Sequence, residues 1–316
     1  MDNSTPLMVT IRCTVYNHAK YLRQCLDGIV MQKTSFHFIA IVHDDASTDN
    51  SAVIIKEYAQ KYPSIIVPIY EKENVYSKDK GKLRAIMDEA CLSGKYMAYC
   101  EGDDYWFDPY KLQKQVDIME SNEDLGLIYG KSVQFDDAKQ RFLKRQLGER
   151  IGSPTDLLLS NTVPTATALV RMSLYKDYLS DKDIQRNQWM MGDYPLWIYC
   201  SVVSKVEFLD EVMAVYRVLP ESASHSNTNR KKLEDFYYSA TQMKLFFNKR
   251  YRLCEDSEIL SQLNELLLFN AVAFSDSTAV IKCYKKINNP SRSVKLFYLL
   301  ARINLLSLYK IYKKVV

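Results

Sequence analysis

The chemistry in this chain gathers where apolar runs stop at acids. Tyr96-Met97-Ala98-Tyr99-Cys100 is followed at once by Glu101-Gly102-Asp103-Asp104. A strand ending this way presents carboxylates at the carboxyl edge of a sheet, where open α/β folds bind their ligands. Glu101 and Asp103 are two apart, so on an extended segment they face the same side. Hard oxygen donors on one side suit Mg²⁺ or Mn²⁺, and such an ion usually shares its coordination with substrate phosphates. A second apolar run, Phe38–Val42, stops at His43-Asp44-Asp45. Carboxylates held close together are costly unless they are paired or metal-bound. Either acidic end alone reads equally well as a cap for the helix that follows. Two of them at corresponding strand ends favour a metal–diphosphate site.

Such acids need elements to carry them. Met8–Val15 is a short run rich in β-branched residues, followed by the polar turn Tyr16-Asn17-His18; Tyr21, Leu22, Cys25, Leu26, Ile29 and Val30 then recur at helical spacing. Phe38–Val42 is the second strand, and Ser47-Thr48-Asp49 caps a helix bearing Val53, Ile54 and Tyr58. Ile65–Tyr70 reads as a third strand and Leu83–Leu92 as a helix. This alternation predicts a mainly parallel sheet, buried on both faces. Further on, Leu127–Phe135 and Thr167–Val170 read as strands, Tyr194–Val203 as a helix beginning after Gly192-Asp193, and Val206–Leu209 and Val212–Val218 as closing strands. From about Asn229 the pattern is helical, with Phe236, Met243, Phe246, Leu260, Leu263, Leu267 and Ala271 as its apolar positions. The expected organisation is an α/β domain over 1–220 and a helical region over 221–316.

Composition narrows the function classes. The hydrophobic fraction of 47 % and the charged fraction of 25 % are those of an ordinary globular chain. A net charge of +4 is too small to indicate a nucleic-acid partner. Seven cysteines lie scattered, with no Cys-x-x-Cys and no Cys/His pairing at zinc spacing. Met1-Asp2-Asn3-Ser4-Thr5-Pro6 lacks the charged and apolar regions of a signal peptide, and no apolar run reaches the roughly 20 residues needed to span a bilayer. The expectation is a cytoplasmic protein with reduced thiols.

Four motifs, taken together, carry a family resemblance. Thr14-Val15-Tyr16-Asn17, Asp44-Asp45-Ala46-Ser47-Thr48-Asp49, Glu101-Gly102-Asp103-Asp104 and Gly192-Asp193 occur in the order and spacing of family-2 glycosyltransferases, which the chain resembles from about Val9 to Val218. The resemblance implies the GT-A fold, a Rossmann-like nucleotide-diphospho-sugar transferase sheet. It also implies a nucleotide-sugar donor (UDP-linked), inversion at the anomeric carbon and dependence on Mn²⁺ or Mg²⁺. Thr14, Val15, Tyr16 and Asn17 would then form the first strand-end loop under the nucleotide. Asp45 would hydrogen-bond the base, and Asp44 would support that loop. Glu101-Gly102-Asp103 resembles the D-x-D element, with Asp103 as metal ligand and Glu101 as its partner, while Asp104 would face sugar or acceptor. Glu101 departs from the commoner Asp, keeping the charge and adding a methylene. Asp193 stands where the family places its catalytic base; Met191-Gly192-Asp193 replaces the usual Glu-Asp pair and retains only the second acid. Its plainer reading is a cap for the helix that follows, with Pro195 near the start.

The chemistry implied is coherent. A departing nucleoside diphosphate gains negative charge as the glycosidic bond breaks, and a divalent ion stabilises that charge without proton transfer. The acceptor hydroxyl, with its high pKa, needs a carboxylate base within reach. Softer features surround this core. Lys78, Lys80, Lys82 and Arg84 read mainly as a solvated charge run. Tyr216-Arg217 resembles the family's Tyr-Arg, but Val218-Leu219 follows where a histidine is common, and His225 reads as a surface residue. Tyr105-Trp106 either stacks on a sugar or covers the core. His18, His37 and His43 form no ligand spacing.

The resemblance points to bacterial surface polysaccharide assembly, with a glycan or lipid-linked glycan as acceptor. Lack of a membrane span and of Gln-x-x-Arg-Trp weighs against a processive synthase. A sugar-nucleotide nucleotidyltransferase is a rival on a similar sheet, but it needs a glycine-rich loop where this chain has Tyr16-Asn17-His18-Ala19-Lys20. A non-catalytic nucleotide-binding or scaffold protein is the other rival. Finally, Ser291–Val316 carries Arg292, Lys295, Arg302, Lys310, Lys313 and Lys314 and no acid. With Leu296, Leu299, Leu300, Ile303, Leu306 and Ile311, it reads as a helix that either lies on the inner membrane surface, as a peripheral contact through 291–316, or packs on the protein with a basic outer face.

Overall fold

The computed structural model describes residues 6–219 and 229–307; His225 and the last three lysines of the basic tail lie outside them. The strands are β1 (Leu7–Val15), β2 (His37–Asp44), β3 (Ile66–Tyr70), β4 (Tyr96–Tyr99), β5 (Tyr105–Trp106), β6 (Leu125–Asp136), β7 (Arg141–Leu147), β8 (Leu169–Arg171) and β9 (Lys205–Val218). The helices are α1 (Ala19–Val30), α2 (Ser51–Lys61), α3 (Val75–Lys78), α4 (Lys80–Cys91), α5 (Lys111–Ser121), α6 (Pro154–Leu159), α7 (Met172–Ser180), α8 (Lys182–Gln185), α9 (Tyr194–Val203), α10 (Arg230–Tyr251), α11 (Asp256–Ala273), α12 (Ser277–Tyr284) and α13 (Arg292–Arg302).

The strands form one sheet in the order β3-β2-β1-β4-β8-β6-β9-β5, with β7 paired to β6. β3, β2, β1 and β4 run parallel. β8 reverses direction, β6 reverses again, and β9 lies parallel to β6. β5 and β7 are antiparallel to their neighbours. Six strands therefore share one direction (β1, β2, β3, β4, β6, β9), and the sheet is mainly parallel as expected. Two closing strands were expected over 206–218, but β9 runs through both. Register shifts opposite Tyr129–Lys131 absorb Leu209, Asp210 and Glu211 as a bulge.

The sheet is built by ordinary patterning. In β1, Val9, Ile11, Cys13 and Val15 share one face and are essentially inaccessible. α1 buries Leu22, Cys25, Leu26 and Ile29 at spacings of three and four, which presents one apolar stripe to the sheet. Gly28 on that helix is obligatory in size: a Cβ there would lie 2.5 Å from the Trp106 carbonyl oxygen. Trp106, 1 % exposed, donates from Nε1 to Ala166 O at 2.6 Å, so of its two sequence readings the core one holds.

The chain separates into two compact units, one of Met1–Gly152, Thr162–Gln188 and Leu196–Leu219, the other of Ser153–Asn161, Trp189–Pro195 and Pro220–Val316. The first contains the whole sheet. The second gathers α6, the 189–195 segment and α10 to α13. Within it, Trp189 packs on Phe246 and Phe247 with ring centroids 5.4 and 5.8 Å apart. The Met190 N–H donates to Ser239 Oγ at 2.9 Å. Tyr194 donates its hydroxyl to Leu157 O and Leu158 O, and Lys244 Nζ reaches Leu159 O at 2.7 Å. Burial brings the Lys244 ammonium down to about 8. No helix among the described residues is long and apolar enough to cross a membrane.

Candidate active site

Parallel pairing carries three strand ends to one edge of the sheet, and the backbone bonds continue past the strands. The Asp45 N–H donates to Val15 O at 2.9 Å, Gly102 N–H to Thr14 O at 3.0 Å, and Cys100 N–H to Arg12 O at 3.1 Å. Thr14–Asn17, Asp44-Asp45 and Glu101–Asp104 are thus brought together, as expected for ends of neighbouring parallel strands.

The Ser-Thr-Asp sequence after Asp45 ties the first loop to the second. Asn17 N–H donates to Ser47 Oγ at 2.9 Å, and Asn17 Oδ1 accepts from Thr48 N–H at 2.8 Å. His18 N–H donates to Ser51 Oγ, and Ala19 N–H to Asp49 Oδ2 at 2.9 Å. Asp49 also accepts from Ser51 N–H, so one carboxylate serves the starts of both α1 and α2. Sequence reading expected this motif to cap α2 alone. The turns are tight: Asn17 and Ala46 have φ of 56° and 57°, in the left-handed region.

The acids fall into two kinds. Asp45, 3 % exposed, accepts from Val75 N–H at 2.7 Å and from Tyr76 N–H at 3.0 Å, holding the segment after β3. Asp44 is as buried, yet only its Oδ2 is engaged, by Ser47 N–H at 3.3 Å; its Oδ1 lacks a partner. In the second turn Asp104 is turned inward, and its Oδ1 accepts from Arg217 N–H at 2.8 Å. Burial, with Asp103 beside it, drives the Asp104 carboxyl well above the usual carboxylate range. Glu101 is exposed and Asp103 half-buried.

Three side chains that sequence reading left without a role hold this second turn. The Arg217 guanidinium donates to Asp103 O and to Gln24 Oε1, between the rings of Tyr21 and Tyr105 at 5.0 and 4.8 Å. The Tyr-Arg pair was visible in the sequence, but its partners come from α1 and the acidic turn, far away along the chain. Gln24 had no local signal. His18 Nδ1 is buried without a partner, and a Cβ built on Gly102 would lie 2.8 Å from it. Only glycine therefore fits between Glu101 and Asp103. Burial lowers the His18 pKa, against the opposing pull of Asp103 and Asp49. Its sequence signal was adjacency to Asn17 rather than metal-ligand spacing.

At the start of α5, Lys111 is fully buried with its amine 4.2 Å from the Trp106 ring centroid, donating to Gln115 Oε1 at 2.8 Å. Burial pushes it down to about 7. Among the described residues no group of three or more His, Cys, Asp and Glu is arranged to hold an ion alone. Glu101, exposed, and Asp103, half-buried, carry the hard oxygen donors of this turn, the chemistry that a divalent ion such as Mn²⁺ or Mg²⁺ would take. Asp193 belongs to the second unit, at the start of α9, where its Oδ1 accepts from Tyr194 N–H at 2.8 Å.

Comparisons with known proteins agree with this geometry. A family model described as glycosyl transferase family 2 matches residues 10–179. An uncharacterised protein of Mycobacterium tuberculosis is 35 % identical over 222 residues, 69 % of this chain and 61 % of that protein. The match thus spans under two thirds of that relative's length. An uncharacterised glycosyltransferase of Methanocaldococcus jannaschii is 26 % identical over 250 residues, covering 78 % of this chain and 81 % of its own. Among solved structures, Staphylococcus aureus TarS 1–349 in complex with UDP-GlcNAc superposes with a TM-score of 0.61 at 16 % identity, covering 98 % of this chain and 92 % of that one. The mannosyltransferase PcManGT of Pyrobaculum calidifontis, in complex with GDP-Man and Mn²⁺, does so with a TM-score of 0.53 at 14 % identity, over 98 % and 88 %. The fold is that of the GT-A glycosyltransferases, and the chain belongs to glycosyltransferase family 2.

Proposed function

We propose that this protein transfers a sugar from a nucleotide donor, UDP-linked, to a hydroxyl of a glycan or lipid-linked glycan, with inversion at the anomeric carbon. The observation that carries the reading is the convergence of three strand-end loops, two of them acidic, on one sheet edge. Thr14 to Asn17, Asp44 and Asp45 would line the nucleotide side, and Glu101 to Asp104 the diphosphate side. Asp103 and Glu101 would hold Mn²⁺ or Mg²⁺, which when bound supplies positive charge to the departing diphosphate.

The roles of Asp45 and Asp104 in this reading follow their bonds. Each keeps a wall of the donor site in place, Asp45 through Val75 and Tyr76, Asp104 through Arg217. Asp44, with a buried oxygen unpartnered, is the acid of the first turn open to a donor N–H or O–H. In transfer, the acceptor oxygen forms a bond to the anomeric carbon as the bond to the diphosphate oxygen breaks, and that oxygen keeps the bonding electron pair. Asp193 takes the acceptor proton. Residues 1–220 would form the catalytic domain and 221–316 a helical region facing acceptor or membrane. The pathway proposed is bacterial surface polysaccharide assembly at the cytoplasmic face.

The deciding experiment is a panel of nucleotide sugars tested for Mn²⁺-dependent binding and slow donor hydrolysis. At least one should bind and be hydrolysed by the wild type, and Asp193→Ala should keep binding while losing transfer. Binding with neither hydrolysis nor transfer to any acceptor would mark a scaffold and sink the reading.

A further inference from the structure

Helix α13 is apolar on two opposite faces. Val294, Phe297 and Ala301, at spacings of three and four, are buried in a cluster with residues of α11 and α12. At about 100° per residue, Leu296 and Leu299 lie on the far side, and Ile303, the C-cap residue just past the helix, continues their spacing. These three are 48, 57 and 63 % exposed. Scattered exposed aliphatics need no explanation, but a stripe aligned along a helix does. Arg292 lies on the same side, and Lys295 and Arg302 flank it, all exposed. Ser291 to Val316 carries six bases and no acid.

We infer that α13 seats this chain on an anionic lipid bilayer. The stripe of Leu296, Leu299 and Ile303 enters the boundary between head groups and acyl chains, while Arg292, Lys295 and Arg302 extend to the lipid phosphates. Long basic side chains suit this placement, because their stems lie on apolar surface and their heads reach the charged layer. Charge decides against the alternative occupants. A second copy meeting the same face about a two-fold axis would set the bases of α13 against those of its copy, and α13 itself carries no acid to compensate. An anionic bilayer supplies both an apolar layer and negative charge. The inference goes beyond sugar transfer and stands on a different unit of the chain from the acidic turns.

Flotation of the full-length protein with vesicles tests it. The wild type should float with phosphatidylcholine vesicles containing phosphatidylglycerol and remain behind with phosphatidylcholine alone, and high salt should weaken binding. Leu296→Glu with Leu299→Glu should lower the bound fraction about tenfold or more. Arg292→Glu, Lys295→Glu and Arg302→Glu together should abolish it with the stripe intact. Circular dichroism and nucleotide-sugar binding by both variants report that they fold. Equal binding to neutral vesicles, no flotation, or wild-type flotation by the double leucine variant would each overturn the inference. So would a lipid-free dimer, seen in sedimentation, that the leucine variant dissociates. Donor hydrolysis without flotation removes the docking and leaves the transfer reading; flotation without donor binding does the reverse.

Discussion

The turns after β2 and β4 solve one problem with the same division of labour. Each ends in consecutive acids, and in each the last acid turns inward to accept backbone N–H groups from a distant segment. Asp45 reaches Val75 and Tyr76, and Asp104 reaches Arg217. The acids before them differ in burial: Asp44 is buried with one oxygen unpartnered, whereas Glu101 is exposed and Asp103 half-buried, and these are the acids proposed to meet a ligand. The difference lies in what backs each turn. The second is backed by the Arg217 guanidinium, which packs on the rings of Tyr21 and Tyr105, and the buried Lys111 amine lies over Trp106 next in the chain. Among the described residues, the first is laced by hydroxyls and an amide, from Ser47, Thr48, Ser51 and Asn17, together with the Asp49 carboxylate, and by no cation. Adjacent acids therefore do not form a uniform ligand set: one is part of the scaffold.

The largest effect should separate the two kinds of acid within one turn. Asp103→Asn removes the charge proposed to hold the metal at the diphosphate, and Mn²⁺-dependent donor turnover should fall by about 100-fold or more with the melting temperature nearly unchanged. Asp104→Ala should behave oppositely in stability, because it strands the Arg217 N–H in the interior at a cost of about 1–3 kcal/mol. Thermal melting checks this, and Asp104→Asn, which keeps an acceptor oxygen, should lose less. Asp45→Ala, which strands two N–H groups, should destabilise at least as much as Asp104→Ala. If Asp103→Asn unfolds the protein while Asp104→Ala merely slows it, the division of labour is reversed and the comparison fails.

The sequence made one half of this visible and hid the other for a physical reason. Strands β1, β2 and β3 were legible because buried parallel strands read as unbroken apolar runs, here Met8–Val15, Phe38–Val42 and Ile65–Tyr70. The acids that close the β2 and β4 runs were legible for the same reason, since they interrupt apolar sequence. Which acid turns inward was not. That choice is made by N–H groups 30 and 113 residues away along the chain. Strand β5 is two residues long and β7 reads Arg-Phe-Leu-Lys-Arg-Gln-Leu, so both owe their pairing to neighbours more than to local pattern. β9 was split in the reading because Asp210-Glu211, outside the ladder at a bulge, breaks its apolar pattern.

A smaller effect probes Lys111, which follows the second turn in the chain. The Lys111 ammonium has an ordinary value of 10.5 and is pushed down to about 7 by burial. Between those values the unfolded chain binds a proton that the folded chain does not, so stability rises with pH across that window and is lost as pH falls through about 7. Lys111→Met should remove this contribution. Melting curves of wild type and variant at pH 7 and pH 9 should show the wild type gaining on the variant as pH rises. A constant difference would mean that Lys111 is charged in the fold, a permanent buried cation over Trp106.

The smallest effect concerns how each turn uses a small residue. Gly102 is required by space, because a Cβ would press on His18 Nδ1 and Val15 Cγ2 at 2.8 and 3.0 Å. Ala46 faces the converse demand: it has a Cβ where the backbone, at φ 57°, favours glycine. An L-residue in the left-handed region costs about 1–2 kcal/mol, while glycine loses about 0.5–1 kcal/mol more chain entropy on folding. Ala46→Gly should therefore be neutral to about 1 kcal/mol stabilising in denaturant unfolding, an unusual outcome for a change to glycine. A clear loss would mean that the alanine methyl makes contacts outweighing the strain, so that the first turn, like the second, is shaped by packing rather than by backbone geometry.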